Sequence, residues 1–256
     1  MRFLCVSDQI DPLVYSTSVK ERYGDVDAVL CAGDLSMEYV DFITDTLGKP
    51  TFFVFGNHDL EEYDYYRKPF HLQADTPSDR TQMDVMKRGH SAEYVSNRVI
   101  RHKHLTFRKP DGKSTPLLIA GVSGSIRYNN GRCQFTNAQM ALQLMALAPA
   151  LLWNRLRHGR YLDILLTHSS PRRIHDREDP CHRGFSCFNR FIQRYAPAVL
   201  VHGHIHLYDL SEERVTKKDS TTIINAYSHI VFDYEPYAAA GKGESFVPDI
   251  TIRPSR

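Results

Sequence analysis

Aspartate, asparagine and histidine recur in this chain wherever a short apolar run stops. RFLCVS leads into Asp8, VDAVLCA into Gly33-Asp34, and TFFVF into Gly56-Asn57-His58-Asp59. YLDILL leads into Thr167-His168, and AVLV into His202-Gly203-His204-Ile205-His206. Carboxylate, amide and imidazole donors together suit Mn, Fe, Zn or Ni better than Ca. His204 and His206, two residues apart, would lie on the same side of an extended segment. A Gly-Asp after a strand is commonly only a turn, so the weight lies on five such endings in one chain.

Those endings need a scaffold that brings them together. Residues 2–6, 26–32 and 51–55 read as buried strands. Between them, 12–23 and 36–47 read as helices. In the second, Tyr39, Val40, Ile43 and Leu47 share a face, with Ser36 as N-cap and Gly48 as the stop. Strand–helix–strand alternation predicts a parallel sheet with right-handed crossovers. The carboxyl ends of such strands line one crevice, so the separated motifs should converge there.

Further on, 92–100, 103–108 and 117–122 read as strands, with Pro110-Asp111-Gly112-Lys113 as a turn. Thr136 and Gln139 form a capping-box pattern, and Pro149 restarts a helix that ends near Gly159. The apolar stretch 140–153 reads as two buried helix segments, with Met and Leu at 140–147 in the core. Then 161–167 is a strand, Phe185, Phe188, Ile192 and Tyr195 mark a helix face, and 198–201 and 221–233 are strands. The pattern predicts one domain over 1–256, with 240–256 a loose tail.

Composition fits a globular α/β protein: 256 residues, 42% hydrophobic and 24% charged. That excludes a disordered chain, a collagen-like fibre and a disulfide miniprotein. A net charge of +2 demands neither nucleic acid nor an acidic membrane. Cys5 and Cys31 lie in strand-like runs, so buried free thiols in a reducing cytosol are expected. MRFLCVSD meets an aspartate too early for a signal peptide, and 140–153 is shorter than the roughly 20 residues a span needs. A cytoplasmic, membrane-free protein is the expectation.

The order Asp8, Gly33-Asp34, Gly56-Asn57-His58-Asp59, His168 and Gly203-His204-Ile205-His206 resembles the calcineurin-like metallophosphoesterases, over residues 8 to 206. The resemblance implies an α/β/β/α sandwich of two facing mixed sheets, with 221–233 completing the second. It implies a metal-dependent phosphoester hydrolase with two divalent ions, Mn foremost and Fe, Zn or Ni as alternatives. Asp34 would bridge the ions, Asp8 and His206 would hold the first, and Asn57, His168 and His204 the second. A bridging hydroxide would attack phosphorus, with diesters favoured over monoesters. His58 would act on the substrate, held in place by Asp59.

Two close divalent cations lower the pKa of a bound water and screen the phosphoryl oxygens, and a ligand serving both should be a carboxylate. One position departs from the family pattern. Where the family carries Asp-x-His, this chain reads Asp8-Gln9-Ile10, which removes a ligand of the first metal unless Asp11 or another group replaces it. The competing reading is a one-metal nucleotide-binding or scaffold protein with a degenerate centre. The His58-Asp59 pair favours the enzyme.

On the substrate side, GVSGSIRYNNG at 121–131 reads as a loop offering Arg127 and Tyr128. Loop 169–184 lies between two motif-bearing strands and carries several arginines, which match phosphate oxygens. Arg183 is the first choice among them. The phosphoester would be a small molecule or nucleotide. Residues 98–113 hold six basic groups against Asp111. This also suits a nucleic-acid track, although a solvated hairpin face explains it more simply.

Overall fold

The computed structural model describes residues 1–66, 90–209, 212–237, 246 and 248–254. Two six-stranded mixed sheets face one another. In the first, the order is β14 (Asp249–Arg253), β13 (Ser228–Glu235), β1 (Arg2–Ser7), β2 (Ala28–Cys31), β3 (Thr51–Phe53) and β4 (Glu93–Tyr94). In the second it is β11 (Val215–Lys218), β12 (Thr221–Asn225), β10 (Val199–His202), β9 (Ile164–Thr167), β6 (Ser114–Val122) and β5 (Arg98–Arg108). Strands β1 to β4 run parallel, as do β6, β9, β10 and β12.

Alternation along the strands builds the layers. Phe3, Cys5, Leu30 and Phe52 meet Leu117, Ile119, Ile164, Leu166, Val199 and Val201 between the sheets. Their neighbours Leu4, Val6 and Val29 face outward onto Tyr39, Val40 and Ile43 of the helix Met37–Leu47. On the other sheet Leu118, Ala120, Leu165 and Leu200 face outward onto helices Asn137–Ala146, Ala148–His158 and Ser186–Tyr195. The result is helix, sheet, sheet, helix, the α/β/β/α sandwich expected from the sequence.

The expected helix signals are in place. Ser36 accepts from the amide of Tyr39, and Gly48 closes the helix in the left-handed region. Thr136 and Gln139 form a reciprocal capping box, and Gly159 ends the helix begun at Ala148. Gly112, at φ 81°, makes the predicted turn between β5 and β6. All five cysteines are free, with Cys5 and Cys31 buried.

Five expectations require correction, four of them in the course of the chain. The helix expected over 12–23 is confined to Val19–Tyr23, because Asp11 turns the chain before it by accepting from the Leu13 amide. The strand expected over 92–100 breaks between β4 and β5, where Asn97 takes φ 58°. Residues 221–233 do not all complete the second sheet. Strand β12 does, but the chain then crosses over, and β13 pairs antiparallel with β1 in the first sheet. The tail is not loose throughout, since Asp249–Arg253 forms edge strand β14; Gly241-Lys242-Gly243 lies outside the described residues.

The stretch 140–153 is only partly core. Met140, Leu144, Leu147 and Leu151 are buried, but Leu142, Met145, Leu152 and Trp153 are more than half exposed. No helix among the described residues is long and apolar enough to cross a membrane.

Candidate metal centre

Four of the five strand-end motifs turn sharply out of their sheets. Asp8, Asp34, Asp59 and His204 all adopt positive φ, at 63°, 52°, 49° and 68°. This region is uncommon outside glycine, although aspartate, asparagine and histidine are enriched in it. Backbone bonds lock the turns to one another. The Asp8 amide donates to Gly33 C=O, and the Gly203 amide to His168 C=O. Glycines give the required clearance: a Cβ at Gly56 would overlap the Asp34 carboxylate, and one at Gly203 the Asp8 carboxylate.

Four acceptors converge in the resulting buried pocket. His168 Nδ1 lies 2.8 Å from Ala32 C=O and donates to it, which turns Nε2 inward. His204 Nε2 lies 2.7 Å from Cys181 C=O and donates to it, which turns Nδ1 inward. The inward nitrogens are 3.1 Å apart. Asn57 Oδ1 stands 3.2 Å from His168 Nε2, and Asp34 Oδ2 stands 3.3 Å from it. Asn57 is held in this orientation because its amide donates to the Tyr128 hydroxyl at 3.3 Å. A cluster of inward lone pairs with a carboxylate needs a cation among them.

The electrostatics agree. Burial pushes the His168 imidazole toward neutrality, but the Asp34 charge prevails and raises it to about 9. Burial likewise opposes ionisation of Asp34, yet His168 and the His58 amide hold its carboxyl well below the usual range. His204 is pushed down to about 3 by burial and by neighbouring His168. So without a metal ion, a proton on His168 Nε2 fills the place among the acceptors. A borderline divalent cation fits the same two nitrogens and two oxygens.

Beside this pocket lies a poorer one. The Asp8 side chain is fully buried, with both oxygens accepting from the His204 amide at 2.9 and 2.8 Å. Burial and the nearby Asp34 charge push its carboxyl up to about 6. His206 Nε2 is 3.8 Å from Asp8 Oδ1, but its ring is 39% exposed and packed on Tyr227. Ile10 is 49% exposed, and the chain has already left the strand at Ser7.

Asp11 does not substitute for the missing histidine. It is buried against β13, where it accepts from the Ser228 hydroxyl and from His229 Nδ1, and Tyr23 closes the chain on His229 Nε2. Hydrogen bonds to a charged group are worth about 1.5–3 kcal/mol each. Asp11→Asn should therefore lower stability by about 2 kcal/mol on thermal unfolding and leave the metal content unchanged. Loss of a metal ion in that variant would make Asp11 a ligand after all.

The expected substrate groups are placed differently. Tyr128 stands at the pocket, but as the partner of Asn57. Arg127 turns away and donates to Gln134 C=O and Gln139 Oε1. Arg183 donates to Glu178 C=O on the exposed side of its loop, and Arg172 is paired with Asp176 and Glu178. Arg177, by contrast, donates to His206 C=O at 2.7 Å. Its place could not be told from its loop neighbours, because all are arginines in one acidic stretch.

His58 is exposed, while its amide donates to Asp34 Oδ1 at 2.7 Å. Among the described residues no hydrogen bond joins Asp59 to the His58 ring. The carboxyl of Asp59 is raised by burial and by Asp34. Two contributors escaped sequence reasoning: the carbonyls of Ala32 and Cys181, which orient the imidazoles and leave no side-chain signal.

A second group, Asp179, Cys181 and His182, lies on the rim. There Asp179 Oδ1 accepts from the Cys181 thiol, the His182 amide and His182 Nδ1 at 2.8, 3.1 and 2.9 Å. Its acceptor is thus satisfied internally, unlike the buried cluster.

Residues 1–208 match the family model described as calcineurin-like phosphoesterase. The crystal structure of TT1561 of Thermus thermophilus superposes with TM-score 0.55 at 12% identity, covering 90% of this chain and 92% of that one. The calcineurin-like phosphoesterase YfkN from Bacillus subtilis gives TM-score 0.48 at 11% identity, covering 98% and 90%. No curated protein sequence matches. The match spans every motif that builds the pocket, and the chain belongs to the calcineurin-like phosphoesterase family.

Proposed function

We propose that this chain hydrolyses phosphodiesters at a metal centre built on Asp34, Asn57, His168 and His204, with a second, weaker position at Asp8 and His206. Family membership already implies metal-dependent phosphoester hydrolysis. The observation that carries the finer reading is the convergence of His168 Nε2, His204 Nδ1, Asn57 Oδ1 and Asp34 Oδ2 in a buried pocket. Bound divalent ions, Mn foremost, would supply a nucleophilic water at neutral pH and neutralise the phosphoryl oxygens.

The chain's own groups do the rest. Asp34 would serve both positions, as the family resemblance implies. Ala32 and Cys181 carbonyls hold the two imidazoles in register, and Tyr128 holds Asn57. His58, outside the ligand set and open to solvent, faces an arriving phosphoester. There it donates to a phosphoryl oxygen or protonates the leaving alkoxide. The diester preference follows from the family resemblance alone. The experiment is a comparison of a chromogenic diester and monoester with Mn²⁺-loaded protein, alongside metal stoichiometry. Turnover of the diester with two ions bound supports the proposal, and turnover of the monoester alone reverses the preference.

A second reading rests on Ile10 and Asp11. With Ile10 half-exposed and Asp11 committed to Ser228 and His229, the first position has only Asp8, His206 and the shared Asp34. A one-metal protein that binds a nucleotide without turnover would show one ion per chain and no hydrolysis.

Metal loading should also release protons. At pH 7 the metal-free His168 carries a proton on Nε2, since Asp34 raises its pKa to about 9. A metal ion takes that lone pair, so about one proton leaves per chain and affinity rises with pH up to about 9. The sign follows because a raised imidazole pKa favours the protonated, metal-free form below it. Calorimetric Mn²⁺ titration in two buffers of different ionisation enthalpy measures the release. No proton released at pH 7 would remove His168 from the ligand set.

A further inference from the structure

The outer helical layer of the second sheet is unusual in two independent respects. The first is apolar exposure. In Ala148–His158 the buried contacts are made by Leu151 and Asn154, while Pro149, Leu152, Trp153 and Leu156 point to solvent at the i, i+3, i+4, i+7 spacing of one helix face. Leu152, Trp153 and Leu156 are each more than half exposed, and Met145 continues the band from the preceding helix. Such a stripe ordinarily faces a core. Contiguous apolar surface of this kind marks an interaction site.

The second respect is charge. The helices Asn137–Ala146, Ala148–His158 and Ser186–Tyr195 contain no aspartate or glutamate, but they carry Arg155, Arg157, Arg190 and Arg194. The chain as a whole is nearly balanced, with 32 basic and 30 acidic residues. The imbalance is therefore local to this face. Between the first and third of these helices lies a cleft of about 460 Å³, lined by Leu144, Met145, Cys187 and Phe191 together with Arg190 and Arg194.

We propose that this face is a docking surface for an acidic, amphipathic helical segment of another protein. Its apolar side chains lie along the Met145–Leu156 band and enter the cleft, and its carboxylates meet the arginines. Recognition of an amphipathic helix by an apolar groove uses anchors at the same spacing. Arginine and tryptophan are the residue types that concentrate binding energy at such surfaces. A second copy of this chain is disfavoured as occupant, because a symmetric contact would set arginine against arginine. An anionic bilayer would suit the charge, but a cleft receives an inserted side chain, whereas a membrane surface is met by a convex edge. The proposal is independent of the metal centre, which lies at the strand ends.

The test uses the full chain and a synthetic amphipathic peptide with Leu and Phe on one face and Glu on the other. A counterpart carries Lys in place of Glu. Trp153 is the chain's one tryptophan, so its emission reports the site directly. The expected result is a blue shift of Trp153 with the Glu peptide and at least tenfold weaker binding of the Lys peptide. Binding should weaken as salt rises. Leu156→Asp should weaken binding about tenfold, the scale of an interface anchor. Arg190→Glu with Arg194→Glu should reverse the peptide preference, and both variants should keep the wild-type melting curve and metal content. Equal binding of the two peptides, or no change at Trp153, overturns the proposal. Concentration-dependent dimerisation in sedimentation velocity that the Glu peptide does not reverse assigns the face to a second copy instead. A Trp153 shift with phosphatidylserine vesicles but not with the peptide assigns it to a membrane surface.

Discussion

Asp34→Asn is expected to lose at least one metal ion and to reduce phosphoester turnover below that of any other single ligand change. The asparagine is nearly isosteric, and its oxygen can still accept from the His58 amide as Asp34 Oδ1 does. What disappears is the negative charge. That charge is what keeps His168 protonated to about 9 without metal, and in the loaded state it would separate two cations. Outer-shell partners of metal ligands cost roughly 10–100-fold when removed, so loss of a shared carboxylate should exceed that. The variant offers an internal readout. The His168 ring should titrate well below its wild-type value of about 9, which NMR of the metal-free protein follows directly. Normal metal content with near-normal turnover would reduce Asp34 to a turn residue. A His168 titration left unchanged would mean that another group supplies the charge.

The strand-end motifs were legible because they combine two cues, an apolar run and an abrupt polar stop. Strand–helix alternation then predicted that the stops would meet. The same logic predicted Ser36, Gly48, Thr136 and Gln139, whose roles depend on neighbours within four residues. It failed at β13, because a run of alternating residues such as SHIVFDYE does not state which sheet it joins. Only the pairing with β1 decides that. It failed also at Leu142, Met145, Leu152 and Trp153, where an apolar type was read as burial although these side chains face outward. The surroundings of the two chosen arginines were not legible for a third reason. Arg127 and Arg183 lie in loops whose partners are backbone carbonyls and a glutamine, and none of these contacts leaves a signature in the spacing.

His58→Ala is expected to leave both metal positions as they are and to slow turnover by roughly 10²–10⁴-fold, the range of general acid assistance. The separation of effects follows from which atom does what. The contact of His58 with the ligand set is made by its backbone amide, 2.7 Å from Asp34 Oδ1, and alanine keeps that amide. The imidazole itself is exposed and bonded to none of Asn57, His168 or His204. The loss should fall on kcat more than on KM, because a proton delivered to the leaving oxygen matters in the transition state and not on binding. A substrate with a good leaving group, such as a nitrophenolate, should be hurt less than an alkyl diester. Asp59→Asn should cost much less than His58→Ala, since no hydrogen bond holds Asp59 to the ring. Metal analysis, kcat and KM for the two substrates, and the two variants side by side make the check. Loss of a metal ion in His58→Ala would make His58 a ligand, and an equal loss on both leaving groups would leave it only the task of binding the phosphoryl oxygens.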